Sequence, residues 1–94
     1  MRIIGLGILH SFCAKHADCR SWIANWISDA KGTHWKTTHD IKKRYPSASF
    51  LGDSIVIFNV RGNEYRLEVQ VAFAVGVVAI KWVGSHSQYD RRYG

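Results

Sequence analysis

The sequence predicts an α+β fold in which two to three N-terminal helices pack on a small, mostly antiparallel sheet. Three observations predict it. Apolar residues recur at spacings of three and four in the first half of the chain and alternate in the second, so the period shifts from that of a helix to that of a strand. The alternating segments are joined by short turns, the connection that antiparallel strands use. The 94 residues are 47% hydrophobic and include four Trp, enough for one core but not two, so residues 1–94 are expected to form a single domain.

Met1 to Leu6 is a short apolar run with β-branched residues, expected as a strand that Gly5 and Gly7 break. Ile8, Leu9, Phe12, Cys13 and His16 then fall on one helical face. Trp22, Ile23, Trp26, Ile27 and Ala30 do the same in a second helix, with Asp18 as its expected N-cap and Gly32 just past its end. Arg20, Ser21, Asn25, Ser28 and Asp29 occupy the polar side, so the two helices read as a hairpin covering a sheet. Thr33 to Thr38 is a polar connector holding Trp35. A third, short helix is expected from Thr38 to before Pro46, carrying the basic cluster Lys42, Lys43 and Arg44. Ser47, Ser49, Gly52, Asp53 and Ser54 mark a loop.

The strands follow. Ile55 to Val60 and Tyr65 to Val71 form a hairpin around Arg61-Gly62-Asn63, because Gly62 and Asn63 tolerate positive φ. Gly76 punctuates a second hairpin, and Val77 to Val83 is the last strand. Strand parity places Tyr65, Leu67, Val69 and Val71 on one face and Arg66, Glu68 and Gln70 on the other. By the same rule Val78, Ile80 and Trp82 face away from Lys81, and Asn59 and Arg61 share a side with Ile55 and Ile57. The expected core is therefore Val56, Phe58, Leu67, Val69, Ile80 and Trp82 beneath Trp22, Ile23, Trp26 and Ile27. With the strands in register, Asn59, Arg61, Arg66 and Lys81 collect on the opposite face; a solvated face with scattered charges is the alternative.

Thirteen Lys plus Arg against seven Asp plus Glu give a net charge of +6, most of it after residue 30. Such a balance fits a polyanionic partner, nucleic acid above all, and fits a basic protein without one equally well. Two cysteines are too few for a disulfide scaffold and are expected to be reduced. Cys13, His16 and Cys19 lie close in sequence, but a break at Asp18 and the lack of a fourth ligand argue against zinc, and no metal is expected. His10, His34 and His39 have no companion pattern and are expected at the surface or in packing. Ile3 to Leu9 behind Arg2 lacks the small-residue cleavage site of a secretory leader. The longest apolar run, Val71 to Ile80, is half the roughly 20 residues that span a bilayer. The expected location is the cytoplasm, away from any membrane.

The tail carries the chemistry. Gly84 after the last strand is expected to turn the chain sharply and bring Ser85, His86, Tyr89 and Asp90 to the sheet end near Lys81. A His accompanied by Tyr, Asp and Lys is a better candidate for proton transfer than a lone one.

The stretches Tyr45-Pro46-Ser47-Ala48-Ser49-Phe50, Phe58-Asn59-Val60-Arg61-Gly62-Asn63-Glu64-Tyr65-Arg66-Leu67 and Val83-Gly84-Ser85-His86-Ser87-Gln88-Tyr89-Asp90 resemble the HigB toxins, a branch of the RelE-like toxins. The Trp26 region and the Trp35 connector look similar too, so the resemblance covers nearly the whole chain. It implies a RelE-like fold and endoribonucleolytic cleavage of mRNA, commonly on the ribosome. It also implies neutralisation by a HigA-type helix-turn-helix antitoxin, with operator DNA contacted only through that antitoxin. Matched by motif, Arg61, Arg66 and Lys81 fall on basic sheet positions, and His86, Tyr89 and Asp90 on the tail motif. Ser85 replaces the usual Thr but keeps a hydroxyl. Gln70 and Glu64 stand where basic residues are more frequent, which weakens the expected grip on phosphate.

Metal-independent RNA cleavage needs a base for the 2′-hydroxyl, cations for the pentavalent phosphate and an acid for the leaving 5′-oxygen; it needs no cofactor. His86 is the candidate base or acid, and Arg66 and Lys81 the candidates for stabilising charge. Tyr89 has two roles open, stacking on a splayed base or donating a proton. Asp90 can orient His86 or cap the C-terminal turn. Asn59, Arg61, Lys42, Lys43 and Arg44 are candidate substrate contacts, although a solvated helix face explains the last three equally well. Two rival readings remain: a non-catalytic nucleic-acid-binding module of the same fold, and a small protein whose only partner is the antitoxin.

Overall fold

Apolar stripes on the first helices and alternating strands in the second half assemble into one layer of helices on one sheet. In the computed structural model, β1 (Arg2–Ile4) leads into α1 (Leu6–Lys15), a 3-10 turn (Ala17–Cys19) and α2 (Arg20–Gly32). Then come α3 (Thr38–Arg44), β2 (Ser49–Leu51), β3 (Ile55–Val60), β4 (Tyr65–Ala72), β5 (Val77–Ser85) and α4 (His86–Tyr93). Every residue but Asp53 and Gly94 is described, Tyr93 by its backbone alone. The loop expectation at Asp53 falls outside the described residues. The sheet order is β1-β5-β4-β3-β2, antiparallel except for the parallel β1–β5 pair. No helix among the described residues is long and apolar enough to cross a membrane.

The helix-facing side of the sheet is the core. Val56, Phe58, Leu67, Val69 and Ile80 are buried against Ile23 and Trp26, as periodicity predicts, and Trp22 and Ile27 pack at its margin. Trp35, placed by the sequence in a polar connector, is buried as well, with its ring between Trp26, Tyr45 and Phe58. Gly5 adopts φ 94, and a Cβ there would come within 3.1 Å of Ile80, so this position both turns the chain out of β1 and lets α1 approach β5.

Several local expectations need correction. Asp18 does not cap α2; it lies in the 3-10 turn and its carboxylate bonds Tyr65 and Arg61. In the β3–β4 turn, positive φ falls on Arg61 and Gly62 rather than on Gly62 and Asn63. The segment read as a loop contains β2, an edge strand that pairs with β3. Gly84 makes no sharp turn; it sits inside β5, and the chain beyond it forms α4.

The largest correction concerns Trp82. Glu68 faces Trp82 and Val69 faces Ile80, so Lys81 is the extra residue of a β-bulge in β5. Beyond a bulge every side chain changes face relative to simple alternation. Trp82 therefore leaves the helix-covered side and joins Arg66 and Glu68, while Val83 turns inward opposite Leu67. α4 then packs across this second face. Arg92 meets Glu68 at 3.4 Å and lies 5.3 Å from the Trp82 ring, and Tyr89 stands 6.3 Å from the same ring.

Candidate functional site

Arg66 is the centre of the second face. It stands between Asn59 of β3 and Gly84 of β5, in the register that parity requires. Its guanidinium donates to Asn63 Oδ1 at 2.8 Å and to the Tyr65 carbonyl at 3.2 Å, and lies 5.8 Å from the centre of the Tyr89 ring. Only 9% of Arg66 is exposed. Among the described residues no carboxylate lies within ion-pair distance of it. A buried cation normally has an anionic partner, because desolvating a charge is costly without one. Here neutral oxygens alone hold the fork, and they use two of its five N–H donors.

Ser85 and Gln88 set the start of α4. The Ser85 hydroxyl accepts from the Gln88 N–H at 3.2 Å, and the Gln88 side chain accepts from the Ser85 N–H at 2.9 Å. This is a reciprocal capping box, and it gives the hydroxyl at position 85 a structural role. Gly84 fits beneath it for lack of space: a Cβ there would lie 2.5 Å from the Trp82 ring and 2.7 Å from Gln88 Oε1. His86, the first residue of α4, donates its N–H to the Glu64 carbonyl at 3.0 Å, which ties α4 to the strand end beside Arg66. One helical turn on, Asp90 Oδ1 lies 3.4 Å from His86 Nε2.

The remaining predicted residues are distributed differently. Arg66 and Tyr89 meet directly, and Asn59 shares their face. Lys81 is exposed at the bulge, three residues down β5 from Gly84, or about 10 Å of strand. Arg61 leaves the predicted face: it lies in the turn after β3 and pairs with Asp18 at 3.3 Å on the helix side. The same carboxylate accepts the Tyr65 hydroxyl at 2.8 Å, which raises the Tyr65 pKa above its ordinary 10. On α3, Lys42 donates to the Ala48 carbonyl at 2.9 Å and Arg44 pairs with Asp29 at 2.9 Å, so two of the three basic residues have local structural partners. Cys13 and Cys19 approach to 3.7 Å between sulfurs, and burial, with Cys13 alongside, pushes the Cys19 thiol up to about 12.

Strand parity puts Glu68 on this face beside Arg66, but not Asn63, Trp82 or Arg92, which the turn, the bulge and α4 bring there. The Ser85-x-x-Gln88 spacing is a helix-start signature, the one signal in the sequence from which α4 could be found.

A five-stranded sheet with three helices on one face, and a buried arginine under a polar C-terminal helix on the other, is the arrangement of the small RelE-like toxins. A family model described as the RelE-like toxic component of a toxin–antitoxin system, the HigB toxin, matches residues 19–92. The chain belongs to the HigB toxin family, and is the toxin component of a toxin–antitoxin system. No curated protein sequence matches the chain.

Proposed function

We propose that the protein is an endoribonuclease that cleaves mRNA, bound at the ribosome in the cytoplasm, without a metal or other cofactor. The observation that carries this reading is Arg66, a buried guanidinium lacking a carboxylate partner among the described residues. A scissile phosphate supplies the missing anion, and the pentavalent transition state adds charge where the fork already points.

The rest of the chemistry follows from the neighbours. Asp90 holds His86 through Nε2, which leaves Nδ1 for a substrate proton. His86 removes the 2′-hydroxyl proton, and the leaving 5′-oxygen takes its proton either from Tyr89 or back from the imidazolium that His86 has become. The 2′-oxygen attacks phosphorus, the P–O5′ bond breaks, and the products are a 2′,3′-cyclic phosphate and a 5′-hydroxyl. Tyr89 presents its ring beside Arg66, and Lys81 supplies a second cation from the bulge. Asn59, Lys42, Lys43 and Arg44 are proposed as flanking contacts, and Arg61 as a second-rank one because Asp18 already holds it. The proposed inhibitor is a HigA-type helix-turn-helix antitoxin, and operator DNA is reached only through it.

Induced expression tests the reading in cells. Wild type arrests growth and depletes mRNA, and Arg66→Ala or His86→Ala relieves both while the proteins stay folded. Growth arrest with intact mRNA favours instead the rival reading, a non-catalytic binder of nucleic acid or antitoxin. One observation suits that rival: Lys81 and His86 are not brought into contact with Arg66.

A further inference from the structure

On another flank of α4 lies a second feature. A cleft of about 660 Å³ opens between the end of α1 and α4, over β5. Phe12, Lys15 and His16 form one wall, Arg91 and Arg92 the other, and Trp82 lies between them. The first wall precedes residue 19, where the family match begins.

Its chemistry is one-sided. Three permanent cations line it and no carboxylate does. Three acidic groups of the neighbouring elements are already engaged, Asp18 by Tyr65 and Arg61, Glu68 by Arg92, and Asp90 by His86. Lys15 and Arg91 are exposed. The apolar part of the lining is mostly aromatic: the Phe12 ring stacks on His16 at 4.2 Å, and Trp82 joins them, with Val83 the one aliphatic side chain. Cations interleaved with rings suit single-stranded nucleic acid, whose phosphates and bases need both. An acidic peptide would use the cations but has no need of the rings. The volume matches a small-ligand pocket, for which about 300–1,000 Å³ is usual.

The cleft is also continuous with the candidate site. Trp82, its floor, is 6.3 Å from Tyr89, and Tyr89 is 5.8 Å from Arg66. The geometry points to a flanking-nucleotide subsite: single-stranded RNA held at Arg66 continues past α4, and its next phosphates and a base settle among Lys15, Arg91 and the Phe12–Trp82 rings. This rests on the reading of the protein as one that acts on RNA.

Equilibrium binding separates the two claims. The probes are 2′-O-methyl RNAs, which cannot be cleaved, one short enough to fill only the Arg66 site and one several nucleotides longer. Wild type is expected to bind the long strand tighter. Lys15→Glu with Arg91→Glu should lose most of that advantage, about tenfold or more, and lower the salt slope by roughly 0.7 per lost phosphate contact. Its affinity for the short strand stays close to wild type. Lys15→Arg with Arg91→Lys, which keeps the charge, should retain the advantage and so excludes misfolding as the cause. Equal binding of the long strand by wild type and the charge-reversed protein overturns the subsite and leaves the RNA reading standing. Loss of affinity for polyglutamate with RNA binding intact overturns it in favour of a protein-docking cleft. If wild type binds neither strand, both claims fall.

Discussion

The Arg66 guanidinium lies 5.8 Å from the centre of the Tyr89 ring, so a residue of α4 covers the cation of the sheet. Such a contact is worth about 0.5–2 kcal/mol and fixes the plane of the fork. If the ring is what matters, Tyr89→Phe keeps mRNA cleavage within a few-fold of wild type, and Tyr89→Ala loses roughly a hundredfold. A Phe variant as slow as the Ala variant would instead assign the hydroxyl to proton transfer. Single-turnover cleavage rates for the two variants decide between the roles.

Gly84 is predicted to tolerate no side chain. A Cβ would meet the Trp82 ring at 2.5 Å and Gln88 Oε1 at 2.7 Å, both parts of the α4 packing. Gly84→Ala should cost about 1–3 kcal/mol as overpacking does. For a chain of this size that is a drop of roughly 4–8 °C in Tm per kcal/mol. An unchanged melting curve would show that α4 shifts freely off the sheet.

Asp40 makes stability depend on pH in a defined direction. The backbone N–H of Lys36, followed by that of Thr37, holds its carboxyl below the ordinary 3.8, as part of the capping box that starts α3. A depressed folded-state pKa contributes stability above the unfolded value, and the contribution disappears as pH falls through the folded one. Asp40→Asn should therefore melt below wild type at neutral pH, and the gap should close on acidification below about pH 4. A gap that persists unchanged in acid would show that the charge is not its source.

The sequence carried the core and part of the site, for reasons that differ residue by residue. Leu67 and Val69 follow strand parity and Trp26 follows helical spacing, and all three are buried. Parity also placed Arg66 opposite that core. It failed at Lys81, because Val-Ala-Ile-Lys-Trp-Val alternates smoothly and a bulge leaves no mark in composition; pairing with β4 creates it. Trp82 in consequence lies on the face opposite the one that alternation assigns it. β2 is three residues long and owes its existence to β3. α4 is almost wholly polar, so periodicity could not find it, whereas its Ser85–Gln88 cap could. The burial of Arg66 was not legible, since it depends on β3–β4 turn geometry and on a helix placed by the bulge.

RNA cleavage by this protein should depend above all on how Arg66 grips a phosphate. The direct measurement is cleavage of end-labelled mRNA by the purified protein in EDTA, with and without ribosomes, comparing wild type, Arg66→Lys and Arg66→Ala. Wild type is predicted to leave 2′,3′-cyclic phosphate ends. Arg66→Ala should cut about 10²–10³-fold more slowly, and Arg66→Lys should fall between, keeping the charge but losing the fork. Wild-type RNA left intact in both conditions, or Arg66→Ala cutting as fast as wild type, would contradict the account.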